Sequence, residues 1–334
     1  MTLANAQYLL AARPVGLPKP SDWEYREEPA AEAGEGQFRV QLDYLSLDPA
    51  MRSWMNAGRS YVPPVEIGEV MRAQGIGHVI DSNHPKFEVG DTVSGAFGVQ
   101  RYAVSDGKGV QQIDTSLAPA PVQLGVLGIS GITAYFGLMD VGKIKEGETV
   151  VVSAAAGSVG NVAGQIAKIK GCRTIGIAGG AEKCRVLVEE LGFDAAIDYK
   201  AGDVRKQLRS LAPDGVDVFL DNVGGEILEA VLACLARGAR VVLSGAVSQY
   251  NSAERPKGPA NYMQLLVARA SMTGFVVFDY VKRYPEAIAE LSGWIGSGQL
   301  KSREHVVEGG IEKFPETLLQ LFTGGNTGKL VLAL

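Results

Sequence analysis

The sequence predicts an α/β protein: a doubly wound parallel sheet joined to a smaller β-barrel-like domain. Three observations carry this. From about Val122 onward, strand-like apolar runs alternate with helix-period segments, the pattern of βαβ units whose sheet is covered on both faces. Before that point the chain is a series of short β-type runs broken by glycine and aspartate. Where the alternation starts, residues 150–171 read VVVSAAAGSVGNVAGQIAKIKG, a strand, a small-residue turn and an amphipathic helix.

Taken in order, FRVQLDYLSLD, GIGHVID, DTVSGAFG and VQRYAVSD supply the strands of the first domain. VVVSAA is then followed by SVGNVAGQIAKIKG, RTIGIAGG by AEKCRVLVEELG, and VDVFLDNVGG by EILEAVLACLARG, with ARVVLSGAVS continuing the series. From about Lys301 the segments SREHVVEGG and KLVLAL return to short strands and are expected to rejoin the first domain. The expected boundaries are 1–121 and 299–334 for the barrel-like domain and 122–298 for the sheet between them.

At 334 residues the chain is long for a single core and comfortable for two. Apolar residues are 46% and charged residues 21%, an ordinary globular balance rather than a disordered one. The net charge is −5 and the basic residues are scattered, so no nucleic-acid partner is expected. No apolar run spans a bilayer, and the amino terminus lacks the pattern of a signal peptide. Cys172, Cys184 and Cys234 form neither a pair framework nor a CxxC motif, and read as free thiols of a reducing cytoplasm.

Aligned on the dinucleotide fingerprint, Ala155, Gly157 and Gly160 take the three glycine positions. The second must lack a side chain so that backbone can approach a pyrophosphate, and the third lets helix pack closely on strand. Val159, Val162, Ile166 and Ile169 fall on one helix face, leaving the helix amino terminus to face the phosphates. An acid about 20 residues further on would select NAD. Ala178, Gly179 and Gly180 stand there instead, with Lys183 and Arg185 just beyond. Lys183 reads either as a solvated helix residue or as a partner for a 2′-phosphate; with the acid missing, NADP(H) is the expected cofactor.

The motifs VVSAAAGSVGNVAGQIAKIKGC, LGFDAAIDYK, FLDNVGGE, LSGAVSQYN and GGNTGKLVL, with LSLDPAMRSWM near the start, resemble the zinc-independent medium-chain dehydrogenase/reductases. The branch they are most similar to holds the leukotriene dehydrogenases, prostaglandin reductases and 2-alkenal reductases. That resemblance implies a Rossmann domain flanked by a GroES-like catalytic domain built from both chain ends. It also implies cofactor contacts. Gly157, Ser158, Val159 and Gly160 would meet the pyrophosphate, and Lys183 and Tyr199 the 2′-phosphate end. Asn222 with Ser244, Gly245, Ala246, Val247, Ser248, Gln249 and Tyr250 would line the dinucleotide. Phe275, Val276 and Val277 would present backbone to the nicotinamide carboxamide, and Asn326 would close from the tail.

No metal is expected. Zinc-bearing relatives use cysteine and histidine ligands in the first domain, whereas residues 1–171 contain no cysteine and His78, His84 and His305 have no ligand-spaced companion. Without a Lewis acid, alcohol oxidation is hard, and reduction of an already activated double bond is easier. The expected substrate is therefore an enone or enal, and the resemblance places Tyr250 as donor to the developing enolate, directly or through the ribose. Met51, Trp54, Met55 and Tyr61 either line an apolar pocket or pack in the core. Two alternatives stay open, quinone reduction on the same fold and a non-catalytic, crystallin-like NADPH-binding role. A cytoplasmic homodimer is expected.

Overall fold

Strands β1 (Ala4–Leu10) and β2 (Trp23–Pro29) pair antiparallel at the start of the chain. They precede β3 (Phe38–Leu47), α1 (Ala50–Trp54), β4 (Gly75–Ser82), β5 (Thr92–Gly95), β6 (Tyr102–Ser105), β7 (Gln111–Gln112) and α2 (Ala120–Leu124). Next come α3 (Ile129–Phe136), β8 (Thr149–Ser153), α4 (Ser158–Ile169), β9 (Arg173–Ala178), α5 (Ala181–Arg185) and β10 (Ala195–Asp198). The alternation runs on through α6 (Val204–Leu211), β11 (Val216–Asp221), α7 (Gly225–Leu232), β12 (Leu235–Leu243), α8 (Met263–Ala268), β13 (Ser271–Gly274) and α9 (Tyr284–Gly296). Finally β14 (Glu304–Val307), α10 (Phe314–Thr323) and β15 (Lys329–Ala333) follow. This computed structural model describes residues 3–334 apart from Arg59, Leu117, Arg255 and Pro256. The last two belong to the stretch NSAERPKGPANYMQ, residues 251–264, which by its place in the sequence is expected to border the pocket; at Arg255 and Pro256 that expectation lies outside the described residues.

The elements sort into two compact units. One holds the described residues up to Leu124 together with Glu304–Leu334, and the other is Gly125–Arg303.

In the Gly125–Arg303 unit six strands lie in the order β10-β9-β8-β11-β12-β13, every neighbouring pair parallel. A sheet covered on both faces needs apolar residues at consecutive positions, and Val150, Val151 and Val152 are all fully buried. Leu208 of α6 and Val231 of α7 pack on one face with Val151, Ile175 and Phe219. Helix α4 buries Val162 and Ile166 against β8 and β9 from the opposite side. The order reverses between β8 and β11, since β9 and β10 extend one way and β12 and β13 the other. This is the doubly wound fold, and ligands of such sheets bind beyond the carboxyl ends of the strands at that reversal.

In the other unit the order is β14-β15-β3-β4-β5-β7, with β6 also paired to β3. The tail strands thus join the amino-terminal strands, as a GroES-like unit requires. Strand β3 makes this possible through its bulges. Between Leu42 and Tyr44 its register on β4 shifts, and its buried set moves from Phe38, Val40 and Leu42 to Leu45 and Leu47. One edge of β3 consequently takes β6 over Phe38–Gln41 and β15 over Tyr44–Leu47. Phe314 and Leu318 of α10 close the core with Leu330 and Leu332. Met51 and Met55 are fully buried in that same core, so they pack rather than line a pocket. Trp54 and Tyr61 lie nearer the surface and touch through Trp54 Nε1 and Tyr61 Oη at 3.3 Å.

Two features were not legible as sequence. The amino-terminal run ANAQYLL is a strand, β1, held by the isolated bridges Gln7–Gln100 and Leu9–Val70 as well as by β2. The segment EILEAVLACLARG is helical only to Leu232, because β12 already begins at Leu235. The strand continues past Gly238, which takes φ +79°.

Candidate functional site

At the carboxyl end of β8 the turn before α4 is built from residues that leave backbone exposed. The left-handed position of the turn is Ala154, at φ +47°, one residue ahead of the first fingerprint position. Ala155 therefore needs no glycine, and its methyl is fully buried. Gly160 does need to be glycine. An added Cβ would lie 2.3 Å from the Ala154 carbonyl oxygen, which is the close helix-on-strand approach the third position exists to allow. At Gly157 the corresponding distance to the same oxygen is 3.1 Å. Gly157 is the N-cap of α4 and gives it no side-chain cap. The first-turn N–H groups of Ser158, Val159 and Gly160 precede the helix's own hydrogen-bond ladder, and Ser158 Oγ is buried without a partner. Open N–H groups, an orphaned hydroxyl and a positive helix end fit a pyrophosphate.

The ends of β9 and β10 form a second corner. Gly179 lies under the Tyr199 ring, where an added Cβ would come within 2.8 Å of it. Lys183 is half-buried, and burial, with the charge of Lys200 as second cause, lowers its pKa. Two neighbouring cations fit a dianion such as a 2′-phosphate. Sequence reading missed Lys200, and also the acid present in this corner. Asp198 Oδ1 accepts from Gly180 N at 2.8 Å and from Lys200 N at 2.9 Å, and these bonds hold its pKa down. Its carboxylate is occupied with the turn that carries Tyr199.

The reversal of strand order is tied across by buried groups. Asp221, fully buried at the end of β11, accepts from Ser153 Oγ at 2.7 Å, from Val223 N at 2.9 Å and from Gly224 N at 3.0 Å. Burial raises its pKa, against those three bonds. Ser153 Oγ in turn accepts from Asn222 N at 2.8 Å, and the Asn222 amide donates to the Ser153 carbonyl at 2.8 Å. The Asp221 carbonyl receives Ser244 N at 2.8 Å and Gly245 N at 3.1 Å, and Val247 N donates to Asn222 O at 3.1 Å. Asn222 and the Ser244–Tyr250 segment are thereby brought together, with Ser248 Oγ also donating to Val223 O. Neither Ser153 nor Asp221 was singled out in the sequence, although both lie in quoted motifs.

Tyr250 ends a short 3-10 turn, Val247–Gln249. Its hydroxyl oxygen accepts from Ala246 N at 3.2 Å, and an added Cβ at Gly245 would lie 3.1 Å from that oxygen. Accepting this bond uses a lone pair and not the phenolic hydrogen. Phe275, Val276 and Val277 continue from β13, at the same end of the sheet. Asn326 belongs to the other unit, where its amide donates to Gly328 O at 3.0 Å. Among the described residues no three His, Cys, Asp or Glu side chains group to hold a metal ion. Cys172, Cys184 and Cys234 are free thiols.

The two cradle glycines separate under substitution. Gly160→Ala should lower stability by about 2 kcal/mol, the cost of an overpacked contact against rigid backbone. Gly157→Ala should stay within about 1 kcal/mol of the unsubstituted chain, because the clash is slight and its φ of −82° suits alanine. Urea unfolding of both variants checks this, and equal losses would mean the turn does not have this packing.

Two family models match the chain: "N-terminal domain of oxidoreductase" over residues 6–113 and "Zinc-binding dehydrogenase" over residues 158–293. The chain is 43% identical to the NADPH-dependent curcumin reductase of Escherichia coli, covering 98% of this chain and 96% of that protein. It is 38% identical to a 2-alkenal reductase (NADP(+)-dependent) of Nicotiana tabacum, over 99% and 97%. Among solved structures, CurA of Vibrio vulnificus in complex with NADPH superposes with a TM-score of 0.93 at 43% identity, covering 98% of each chain. With this kinship along nearly its whole length, the chain belongs to the medium-chain dehydrogenase/reductases, in their zinc-independent branch.

Proposed function

We propose that the protein uses NADPH to reduce the carbon–carbon double bond of α,β-unsaturated aldehydes and ketones. The observation that carries this is full-length kinship with reductases named for curcumin and 2-alkenal. The cradle at α4 and the Lys183–Lys200 corner support the choice of cofactor. Residues Gly125–Arg303 would be the NADPH-binding domain, and the unit built from both chain ends the catalytic one. When bound, NADPH supplies a hydride to the substrate's β-carbon.

The chain's own groups do the rest. Ser158, Val159 and Gly160 N–H groups hold the pyrophosphate, while Lys183, Lys200 and Tyr199 receive the 2′-phosphate. Asn222 and the Ser244–Tyr250 segment orient the ribose end. As charge gathers on the substrate carbonyl oxygen, the Tyr250 hydroxyl donates to it, directly or through the ribose hydroxyl, and a proton then reaches the α-carbon.

Titration should show NADPH binding much more tightly than NADH. Lys183→Ala should close that gap about tenfold, the worth of one charge-assisted contact. A rate screen over short alkenals, curcumin-like enones and quinones should find turnover with the first two classes well ahead of the third. Faster quinone turnover would move the reading to quinone reduction, and NADPH binding without turnover of any enone would leave a binding protein.

Tyr250→Phe keeps the ring and removes one donor, so single-turnover alkene reduction should fall about 10²-fold. A donor acting on the substrate oxygen leaves NADPH affinity intact, whereas one acting through the ribose weakens it as well. If neither quantity changes, Tyr250 takes no part.

A cytoplasmic homodimer completes the reading. Among the described residues the sheet edge β13 has a neighbour on one side only, and the adjoining α8 exposes Met263, Leu266 and Val267. A second copy covering that edge would remove both liabilities. Light scattering should give twice 35.3 kDa for protein recovered with cytoplasmic markers. A monomeric mass at micromolar concentration, or recovery elsewhere, counts against the corresponding half of the proposal.

A further inference from the structure

Phe275, Val276 and Val277 leave β13 and run directly into a 3-10 turn spanning Val277–Arg283. Three of the hydrogen bonds on this backbone set its direction. Phe275 N donates to Leu243 O at 3.4 Å, extending the β12–β13 pairing, and Asp279 N donates to Val276 O at 3.1 Å. The third comes from a side chain, the Tyr284 hydroxyl, which donates to Val277 O at 3.2 Å. Tyr284 is the first residue of α9 and is buried, so this bond reaches the segment from inside the fold.

Peptide geometry then fixes what the segment presents. In a trans peptide the C=O and N–H point in opposite directions. With Val276 O turned toward Asp279, the N–H of the same peptide, that of Val277, is turned away from the turn. Val277 is also the first residue of the 3-10 turn, so its N–H precedes that turn's own ladder. The Tyr284 bond sets the next peptide in the same manner. Both peptides flanking Val277 are thereby held. Packing fixes the rest of the turn: Tyr280 stacks on Phe136 at 4.4 Å and meets Phe275 edge-on at 6.3 Å. Gly137 makes room for the Phe275 ring, which an added Cβ would approach to 3.1 Å.

We infer that Tyr284 is a positioning residue for the nicotinamide carboxamide: its hydroxyl anchors the Val277 carbonyl and so holds the peptide after Val277, while the Asp279–Val276 bond holds the peptide that carries the Val277 N–H. With both sides of Val277 fixed, that N–H stays in place as a donor. The inference rests on the NADPH reading above and names a residue outside the segments assigned to the cofactor. A phenol is suited to the task. Burial pushes the Tyr284 hydroxyl up to about 12, so it remains a donor throughout the range in which the enzyme works.

The test uses two ligands of the same protein. Adenosine 2′,5′-bisphosphate carries the adenosine and 2′-phosphate of NADPH but no nicotinamide. Tyr284→Phe should weaken NADPH about three- to tenfold, the usual worth of one hydrogen bond, and leave adenosine 2′,5′-bisphosphate affinity unchanged. Equal weakening of both ligands would make Tyr284 a general support of the fold and overturn the inference, as would no change in either. Binding of neither ligand by the unsubstituted protein would instead overturn the NADPH reading. Hydrogen exchange on the unsubstituted protein covers the case in which the variant does not fold. The Val277 amide should be protected by NADPH and not by the bisphosphate. Protection by both, or by neither, removes the carboxamide from this backbone and the inference with it.

Discussion

Asp221 places a carboxylate, fully buried, at the reversal of strand order in the six-stranded sheet. A carboxylate there is tolerated only if donors replace the water it has lost. Ser153 Oγ, Val223 N and Gly224 N supply them. The need runs both ways. Gly224 is the N-cap of α7 at φ +69°, and its N–H would be costly to bury unpaired. Satisfying one buried acid therefore joins β8 to β11, shapes the Asn222–Gly224 turn and starts α7. The Asp221 carbonyl, which receives Ser244 and Gly245, extends the same anchor to the segment ending at Tyr250.

Around that anchor the candidate site has few side chains and much backbone. Helix-end N–H groups, glycine turns and peptide planes face the positions where a dinucleotide would lie. Charged side chains gather at the β9–β10 corner, where Lys183 and Lys200 stand against an Asp198 already held by two N–H groups. Backbone recognition suits a cofactor whose shape is constant. On the proposed reading, side chains would be left to distinguish the one group that separates NADPH from NADH.

What could be read from the sequence was whatever depends on short-range pattern. The βαβ alternation, the buried valine run of β8 and the close helix-on-strand approach at Gly160 are local signals, and the structure uses them as expected; the pyrophosphate role read for Gly157 belongs to the proposed function. Tolerance of Ala155 was legible, but its cause was not, because the left-handed residue is Ala154 and no sequence rule assigns that angle to alanine. Ser153, Asp221 and Lys200 act through partners on neighbouring strands, and which strands are neighbours is a property of the sheet, not of any window of sequence. The β3 bulge between Leu42 and Tyr44 was hidden for a similar reason, since the side chains there still alternate plausibly. β1 escaped notice because its polar residues Asn5 and Gln7 are buried along with its apolar ones, which no alternation of apolar and polar positions anticipates.

The pairing of Leu47 with Leu330 has a consequence for how the chain is made. Strand β15 lies between β14 and β3, so the amino-terminal strands cannot close their sheet until the whole of Gly125–Arg303 has emerged from the ribosome. At about 5–20 residues per second, that leaves the upper edge of β3 without its partner for roughly ten seconds or more. The inserted unit contains all six strands of its own sheet and can complete itself within that interval. Synthesis thus finishes the Gly125–Arg303 unit first, while the other unit waits with the β3 edge open and apolar residues such as Leu45 and Leu47 in need of shelter. For this architecture, the unpaired sheet edge during synthesis falls to the outer segments and not to the insert.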